Sequence, residues 1–359
     1  MFSPEVDSLT LAQLAARLNV SPASVSIVRQ GRPGVSDATR RRIQSALKAN
    51  GYSYLPYTPE QSAPTGKPDG SPQYIRLLKY YRSALLTDKN EGFVDAIIDA
   101  IDAVARTRNY TLVFSSLSSD EFDQRLPELA ADSCIGLLVI ATEMECAEIE
   151  KLRILRVPIV VLDCDHPALP FSSVTMNNRD LAYAAVAQLR TLGEVGYLCS
   201  SIRTGNFKAR GNGYREALHD FGLPEREELC FSVTPGLNAA CEDMNRLLDA
   251  GRKLPPALFA DNDVIAIGAM RAMQERGIRV PQDISMIGFD GLPFSAMSEP
   301  TLTTVDVPCA DIGRWAVSII HQQMRGRIRT TCSIHVSTQL HIRKSTAAPR
   351  SSDGVWGKE

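Results

Sequence analysis

Three polar side chains, far apart in the sequence, are together suited to bind a polyhydroxylated small molecule. Arg210, Asn262 and Asp290 each lie at or just beyond a predicted strand end, or on a helix facing the same edge. Open α/β sheets bind ligands at the carboxyl ends of their strands. A guanidinium fork, an amide and a carboxylate supply both donors and acceptors for neighbouring hydroxyl groups of a sugar. We therefore predict a ligand site at these residues, with Phe207 and Tyr81 as stacking surfaces.

Simpler interpretations of these residues remain open. Arg210 and Asp290 would also be explained by an ion pair between two lobes that binds no ligand. Single aromatic residues such as Phe207, Tyr81 and Phe93 more often belong to a hydrophobic core than to a binding surface.

Other patterns in the chain do not support a catalytic or metal site. Gly211 and Gly213 resemble the start of a dinucleotide-binding loop, but the third glycine is missing and no strand leads into them. Cys332, His335 and His341 have a loosely metal-like spacing, yet on one predicted final strand the two-residue period would divide them between opposite faces. The sequence contains no nucleophile elbow, phosphate loop, paired catalytic carboxylates or Cys/His dyad. It therefore predicts a protein that is not an enzyme and holds neither metal nor cofactor.

The start of the chain predicts a short amphipathic helix followed by a tight turn. Its apolar residues follow helical spacing at Leu11, Leu14, Ala15 and Leu18. Thr10 and Gln13 form a capping box, in which each side chain satisfies an amide of the first turn. Asn19 tolerates the left-handed conformation that a tight interhelical turn requires.

Two further helices complete this head. Ser21 followed by Pro22 predicts an N-cap with proline at the first helical position, and the helix runs to about Gln30. Ser36-Asp37 opens a third helix that ends at Gly51. Three short helices around a small core, with a tight turn between neighbours, are typical of a helix-turn-helix unit.

The 359-residue chain has an ordinary globular composition and an uneven distribution of charge. It is 44% hydrophobic and 22% charged, with a net charge of −2. Residues 1–55 carry seven Arg or Lys against three Asp or Glu, so the basic balance lies on the head, as phosphate contacts require. No stretch approaches eighteen consecutive apolar residues, and the amino terminus lacks the plan of a secretory signal. We predict a cytoplasmic protein whose eight scattered cysteines are free thiols.

After the head, the pattern predicts a linker, a large core and a tail. Residues 56–73 are rich in proline and small polar residues, which cannot hold a helix. Residues 74–345 alternate buried strands and amphipathic helices in two successive sets, so we predict two lobes, each a doubly wound parallel sheet. Residues 346–359 are small and polar and are predicted to be disordered. They lack leucine heptads, which favours a dimer over a tetramer.

The head resembles that of the lac-repressor/galactose-repressor (LacI/GalR) family of bacterial transcription regulators. The matching residues are Leu9-Thr10-Leu11, Ala15, Val20-Ser21, Val25-Ser26, Val35-Ser36, Thr39-Arg40 and Gly51-Tyr52. The core is similar to the family's effector-binding core, through the runs at residues 257–263, 266–268, 277–285, 288–290 and 300–305. The resemblance implies a type I periplasmic-binding-protein-like core with three crossovers between its lobes. It also implies a small-molecule effector, by default a sugar or sugar derivative.

The resemblance further implies which head residues contact DNA. Of the family's base-reading positions, Pro22, Ala23 and Ile27 lack hydrogen-bonding groups, so contacts with thymine methyl groups are expected rather than guanine readout. Arg29 could also reach the groove. The residues expected to hold phosphates, and so to fix register, are Thr10, Ser21, Ser24, Ser26, Ser36, Thr39 and Arg40. The prolines of the linker depart from the family's short hinge helix, so we predict that this segment stays unfolded on DNA.

Together these observations predict a dimeric, ligand-responsive repressor that binds an inverted-repeat operator in double-stranded DNA through its helix-turn-helix head. The alternative is a small-molecule binding protein on the same two-lobed fold, whose head serves dimerisation or partner binding. Replacing Arg40, Arg41 and Arg42 by alanine would discriminate between them, because only the first hypothesis predicts loss of DNA binding.

Overall fold

A computed structural model describes residues 10–29, 35–52, 54, 74–83 and 92–347 of the chain. The chain divides into two compact units at the boundary between Gln73 and Tyr74. The predicted linker and most of the predicted tail, residues 56–73 and 348–359, lie outside the described residues. Among the residues described, no helix combines the length and apolar character needed to cross a membrane.

The head contains the three predicted helices, α1 (Leu11–Arg17), α2 (Pro22–Arg29) and α3 (Asp37–Ala49). The capping box at the start of α1 is confirmed, with the Thr10 hydroxyl accepting a hydrogen bond from the Gln13 amide at 3.3 Å. Apolar residues from all three helices form one small buried cluster, which consists of Leu14, Ala15, Val25, Val28, Ile43 and Leu47.

The turns of the head follow the sequence pattern. Asn19 adopts a left-handed conformation with φ of 52°, as predicted, and the Ser21 hydroxyl caps α2 by accepting from the Ser24 amide at 3.1 Å. Arg42 Nη2 donates to the Leu18 carbonyl at 3.0 Å, which joins α3 to the end of α1. The small core, the side-chain caps and the hydrogen bond from Arg42 to Leu18 therefore all help to hold the head together.

Within the described residues, the core has two six-stranded sheets. In chain order the strands are β1 (Tyr74–Tyr81), β2 (Thr111–Ser118), β3 (Gly136–Ile140), β4 (Ile159–Leu162), β5 (Ser172–Met176), β6 (Val195–Ser200), β7 (Cys230–Val233), β8 (Ala257–Ala260), β9 (Ser285–Asp290), β10 (Thr303–Asp306), β11 (Ser333–Val336) and β12 (Leu340–His341). The first lobe has the order β11-β5-β4-β3-β1-β2, and the second β12-β10-β9-β8-β6-β7. All pairings are parallel except that of β12 with β10.

Helices cover both faces of each sheet, as the fully buried strands require. In chain order the helices of the core are α4 (Phe93–Thr107), α5 (Ser119–Ala131), α6 (Cys146–Lys151), α7 (Asn178–Leu189), α8 (Gly205–Asp220), α9 (Leu237–Asp249), α10 (Asp263–Glu275) and α11 (Cys309–Met324). Alternate residues of β3 enter different clusters: Leu138 and Ile140 pack with residues of α4 and α11, whereas Leu137 and Val139 pack with α5 and α6.

The chain crosses between the lobes three times, as predicted: between β5 and α7, between β10 and α11, and between β11 and β12. The last crossing corrects one expectation. Cys332, His335 and His341 do not share a final strand, because β11 joins the first sheet and β12 the second.

Gly213 explains the glycine pair that resembles a dinucleotide-binding loop. It lies inside α8, where a Cβ atom would collide with the carbonyl of Arg179 on α7. Its role is therefore to let two helices approach closely.

Candidate functional site

A cavity lies between the lobes at the carboxyl ends of their strands. Its wall in the first lobe consists of Phe93, Val94, Thr142 and Asp163, and its wall in the second consists of Thr204, Asn206, Phe207, Arg210, Asn262 and Asp290. The cavity volume is about 30 Å³, which is room for one or two water molecules. The lobes are therefore closed on each other in this conformation.

Four of the five predicted ligand-site residues line this cavity, namely Arg210, Asn262, Asp290 and Phe207. Tyr81, the fifth, does not line it. It is the half-buried last residue of β1, and Phe93 and Val94 of α4 supply the aromatic and aliphatic wall of the first lobe instead.

Arg210 is buried at the centre of a hydrogen-bond network. Its Nε donates to Asn178 Oδ1 at 2.9 Å, its Nη1 to the Asp261 carbonyl, and its Nη2 to Asp290 Oδ1 at 3.1 Å. Its guanidinium carbon lies 3.7 Å from the centre of the Phe289 ring. The side chain is 3% exposed and that of Asp290 is 4% exposed, so this is a buried ion pair.

The position of this ion pair corrects the simpler interpretation based on sequence. Arg210 lies on α8 and Asp290 ends β9, and both elements belong to the second lobe. The pair therefore does not join the lobes; it orients two polar groups on one wall of the cavity. Asp290 has a positive φ of 112°, a conformation that non-glycine residues rarely adopt and that is enriched at functional sites.

The side-chain oxygen of Asn262 is used as a helix cap. Its Oδ1 accepts from the Ile265 amide at 2.9 Å and so caps α10. The Nδ2 group is the part of this buried side chain that remains to donate to a molecule in the cavity.

The lobes are joined by a polar contact that the sequence interpretation missed, which we call the Asp163 latch (Thr142, Asp163 and Asn206). Asn206 Nδ2, on the second lobe, donates to Asp163 Oδ1 at 2.9 Å and to the Asp163 carbonyl at 3.2 Å. Thr142 donates to the other carboxylate oxygen at 2.5 Å. The sequence contains a signal for Asp163, because this residue directly follows a buried strand. Asp290, which the sequence analysis did select, is likewise found at the end of a buried strand. Asn206 carries no such signal, since it lies in the first turn of a helix.

Buried carboxyl groups around the cavity have raised pKa values. Burial raises the pKa of Asp163 to about 7, although the latch hydrogen bonds and Arg210 oppose the shift. Burial and the charge of Asp290 raise the pKa of Asp263 to about 8. Burial raises the pKa of Asp261 to about 6, against hydrogen bonds from Tyr197 and Ser200. Burial in the closed cleft therefore stabilises the protonated form of each of these carboxyl groups relative to its form in water.

A wide groove of about 950 Å³ adjoins the cavity and shares Thr142 and Thr204 with it. Its walls also include Arg82, Glu143, His166, Arg203 and Lys208. Because the groove adjoins the cavity at these two threonines, separation of the lobes at the Asp163 latch would open a path between them for a ligand. In the part of the chain that the structure describes, no cluster of three or more His, Cys, Asp or Glu side chains could hold a metal ion.

The head presents a polar surface along α2. The residues Ser21, Pro22, Ser26 and Arg29 are exposed, and Ser24 and Ile27 are half-buried. The side chain of Ala23 lies outside the described residues. Serine and threonine hydroxyls cluster at all three helix starts, where Thr10 caps α1, Ser21 contacts Ser24 and Ser36 contacts Thr39. The amino termini of helices are suited to bind phosphate groups, because their first backbone amides can donate hydrogen bonds to an anion.

Arg40 departs from the expected pattern of phosphate-contacting residues. It is 3% exposed, because it is on the side of α3 that faces the small core. Its neighbours Arg41 and Arg42 are exposed, but Arg42 holds the Leu18 carbonyl. The geometry does not favour a phosphate contact by Arg40, and Arg41 is the better candidate.

Comparison with known proteins places these features in a family. Residues 190–346 match the model of the periplasmic binding protein-like domain. The chain is 28% identical to the HTH-type transcriptional regulator DegA of Bacillus subtilis over 94% of this chain and 98% of that protein. It is 27% identical to the HTH-type transcriptional repressor CytR of Escherichia coli over 94% and 96%.

Solved structures show the same architecture. The lac repressor dimer bound to operator and the anti-inducer ONPF superposes with a TM-score of 0.67 at 23% identity, covering 95% of this chain and 100% of that chain. The CelR–cellobiose complex superposes with a TM-score of 0.66 at 22% identity, covering 94% and 99%.

A helix-turn-helix head joined to a two-lobed, periplasmic-binding-protein-like core defines a DNA-binding transcription regulator. Over nearly its whole length the chain is similar to transcription regulators of the LacI/GalR family.

Proposed function

We propose that this regulator is a repressor whose operator affinity is controlled by a sugar-like molecule bound between the lobes. The observation that carries the proposal is the convergence of Arg210, Asn262, Asp290 and Asp163 from two lobes on one cavity, in a chain that also has a helix-turn-helix head. No catalytic role is proposed for these residues; they bind and orient a ligand.

The donor set favours a ligand with several hydroxyl groups. Asp290 and Asp163 accept hydrogen bonds, Asn262 Nδ2 donates, and Phe207 supplies an apolar face. Two structurally similar regulators are described with cellobiose and with ribose. A sugar or sugar derivative is therefore the class of effector that we propose for this chain.

Ligand binding requires a change in the spacing of the lobes. A cavity of about 30 Å³ is too small for a monosaccharide, so the effector selects a state in which the lobes are further apart than here. That state would alter the arrangement of two heads in a homodimer on an inverted repeat. Changing operator affinity tenfold needs only about 1.4 kcal/mol of differential binding. Because its target is chromosomal DNA, we propose that the protein acts in the cytoplasm.

The test is selection of bound genomic fragments by the full-length protein at moderate salt, followed by footprinting and titration with sugars. Protection of both halves of an imperfect palindrome, relieved or strengthened by one sugar, is the expected result. Retention of random fragments alone, lost as salt is raised, would contradict sequence-specific regulation.

The arginines of α3 provide a sharper test of the head. We expect Arg41→Ala to weaken DNA binding and to lower the slope of log affinity against log salt by about 0.9 per chain, the value for one phosphate contact. Arg40→Ala should instead lower the thermal stability of the head, because Arg40 is buried. Arg271→Ala on the core is the control. Unchanged DNA binding by a folded Arg41→Ala protein would favour the alternative in which the head does not contact DNA.

A further inference from the structure

The loops at the amino-terminal edge of the first sheet form an arginine-rich surface. The loops that lead into β2, β3, β4 and β11 contain a single acidic residue, Asp132. They contain six arginines, of which Arg153 pairs with Glu150 of α6. We call the other five the basic edge: Arg108, Arg156, Arg325, Arg327 and Arg329. These strands are parallel, so the loops lie at one end of the lobe.

The one acidic residue does not neutralise the basic edge. Asp132 is paired with Arg76 of β1 at 2.6 Å and also accepts from the Tyr74 hydroxyl. Arg156, Arg327 and Arg329 are exposed, and none of them forms an ion pair with another described residue. The positive charge is therefore available to an external anion.

Arginines from two of these loops lie near the same side chain of α11. Arg108 Nη2 donates to Ser318 on α11, and Tyr110 contacts His321 Nδ1 at 2.7 Å on the same helix. Burial and the charges of Arg108, Arg325 and Arg327 lower the pKa of His321 to about 4. Two loops that are distant in sequence thus contribute to one positive field.

The corresponding edge of the second sheet has no such surplus. The loops leading into β6, β7, β8, β9 and β10 have six acidic and six basic residues. The acidic residues are Glu194, Glu225, Glu227, Glu228, Asp283 and Glu299, and the basic residues are Arg190, Arg226, Arg252, Lys253, Arg276 and Arg279. The excess of positive charge at the amino-terminal edge is therefore found in the first lobe and not in the second.

The chain that comes from the head enters the core at this edge. Tyr74 begins β1, and residues 55–73 separate it from Tyr54 of the head. Twenty residue steps span at most about 70 Å when fully extended, roughly two turns of B-DNA. A duplex held by the head is thus within reach of the basic edge.

We propose that the basic edge binds the phosphate backbone of the DNA that flanks the site held by the head. The proposal rests on the proposed function and adds to it a second, sequence-independent DNA contact from the core. Such contacts release counterions, and each adds about 0.9 to the salt slope. These phosphate contacts would strengthen DNA binding without any contact between the linker and the bases.

The experiment compares the full-length protein with the triple variant Arg156→Gln, Arg327→Gln, Arg329→Gln. The matched control is Arg246→Gln, Arg271→Gln, Arg279→Gln, which removes the same charge from exposed positions of the second lobe. Each protein is titrated with the footprinted duplex alone and with the same duplex extended by flanks of about 15 base pairs, roughly 50 Å each. Random duplexes of both lengths are titrated in the same way.

We expect the flanks to tighten binding by the wild-type and control proteins, and the triple variant to lose that gain, with a slope lower by up to about 3 per chain. The corresponding triple Arg→Lys variant should retain the gain, because a phosphate contact needs charge rather than a guanidinium fork. An equal gain from flanks in the Gln variant would overturn the proposal. A different outcome is that the protein shows no sequence preference but flanks still tighten its binding to random duplexes. That result would contradict the proposed function and would still support the basic edge as a DNA contact.

Discussion

At the scale of single residues, Asp163 is a carboxyl group whose pKa is strongly changed by its place between the lobes. It is buried between the lobes, it accepts hydrogen bonds from Thr142 and Asn206, and burial raises its pKa to about 7. An ordinary aspartate in an unfolded chain has a pKa near 3.9. The folded state therefore binds the proton more tightly than the unfolded state does, so Asp163 contributes most to stability below about pH 4, and this contribution is lost as the pH rises from about 4 to about 7.

We expect Asp163→Asn to lower the pH dependence of stability, because asparagine keeps the shape of the side chain without the charge. Relative to wild type, the stability of the variant should rise as the pH increases from about 4 to about 7, as measured by thermal unfolding. Asp283→Asn is the control, since hydrogen bonds from Arg279 lower the pKa of Asp283 to about 2 and it stays ionised across this range. A variant that follows the wild-type curve in parallel would show that Asp163 is not the titrating group.

At the scale of elements, α7 and α8 form a tightly packed pair that sets the position of Arg210. Gly213 lies where α8 meets the backbone of α7, whereas Gly211 faces the Tyr197 side chain with ordinary clearance of 3.4 Å. Two glycines in one helix thus have different roles, although their spacing in the sequence suggested one shared role.

We expect Gly213→Ala to destabilise the core by about 1–3 kcal/mol, the usual range for overpacking. Gly211→Ala should be neutral or stabilise by up to about 1 kcal/mol, because alanine is the better helix former and has space. Chemical denaturation of the two variants measures the difference. Equal stabilities would argue against close packing of α7 and α8.

At the scale of the whole core, closure of the lobes depends on a close approach at Gly205. A Cβ atom there would lie 2.5 Å from the Asp165 carbonyl oxygen of the other lobe, so even alanine would force the lobes apart. The closed state is therefore sensitive to a change that removes no hydrogen bond.

We expect Gly205→Ala to move operator affinity in the same direction as the effector does, by up to about tenfold, which corresponds to 1.4 kcal/mol. The reason is that both favour wider separation of the lobes. Small-angle scattering should show the core more open, and Gly211→Ala on the same helix should leave operator affinity unchanged. An open core with unaltered operator affinity would contradict coupling between the cleft and the head.

The sequence determined much of this protein by local rules. Hydrophobic periodicity, the Thr10 capping box and the left-handed turn at Asn19 specify the helices of the head, and buried strands alternating with helices specify two parallel sheets. The rule that ligands bind at strand ends placed Arg210, Asn262 and Asp290 on one cavity. Each of these inferences depends on spacing along the chain, which the sequence contains.

Only the tertiary structure decided which groups face one another. Three features join residues from different elements: the pair of Arg210 and Asp290 inside one lobe, the hydrogen bond from Asn206 to Asp163, and the burial of Arg40. Tyr81 shows the same limit, since it ends a strand beside the cleft yet does not line the cavity. Side-chain burial and partners depend on how helices pack on a twisted sheet, and that packing is set by many long-range contacts at once.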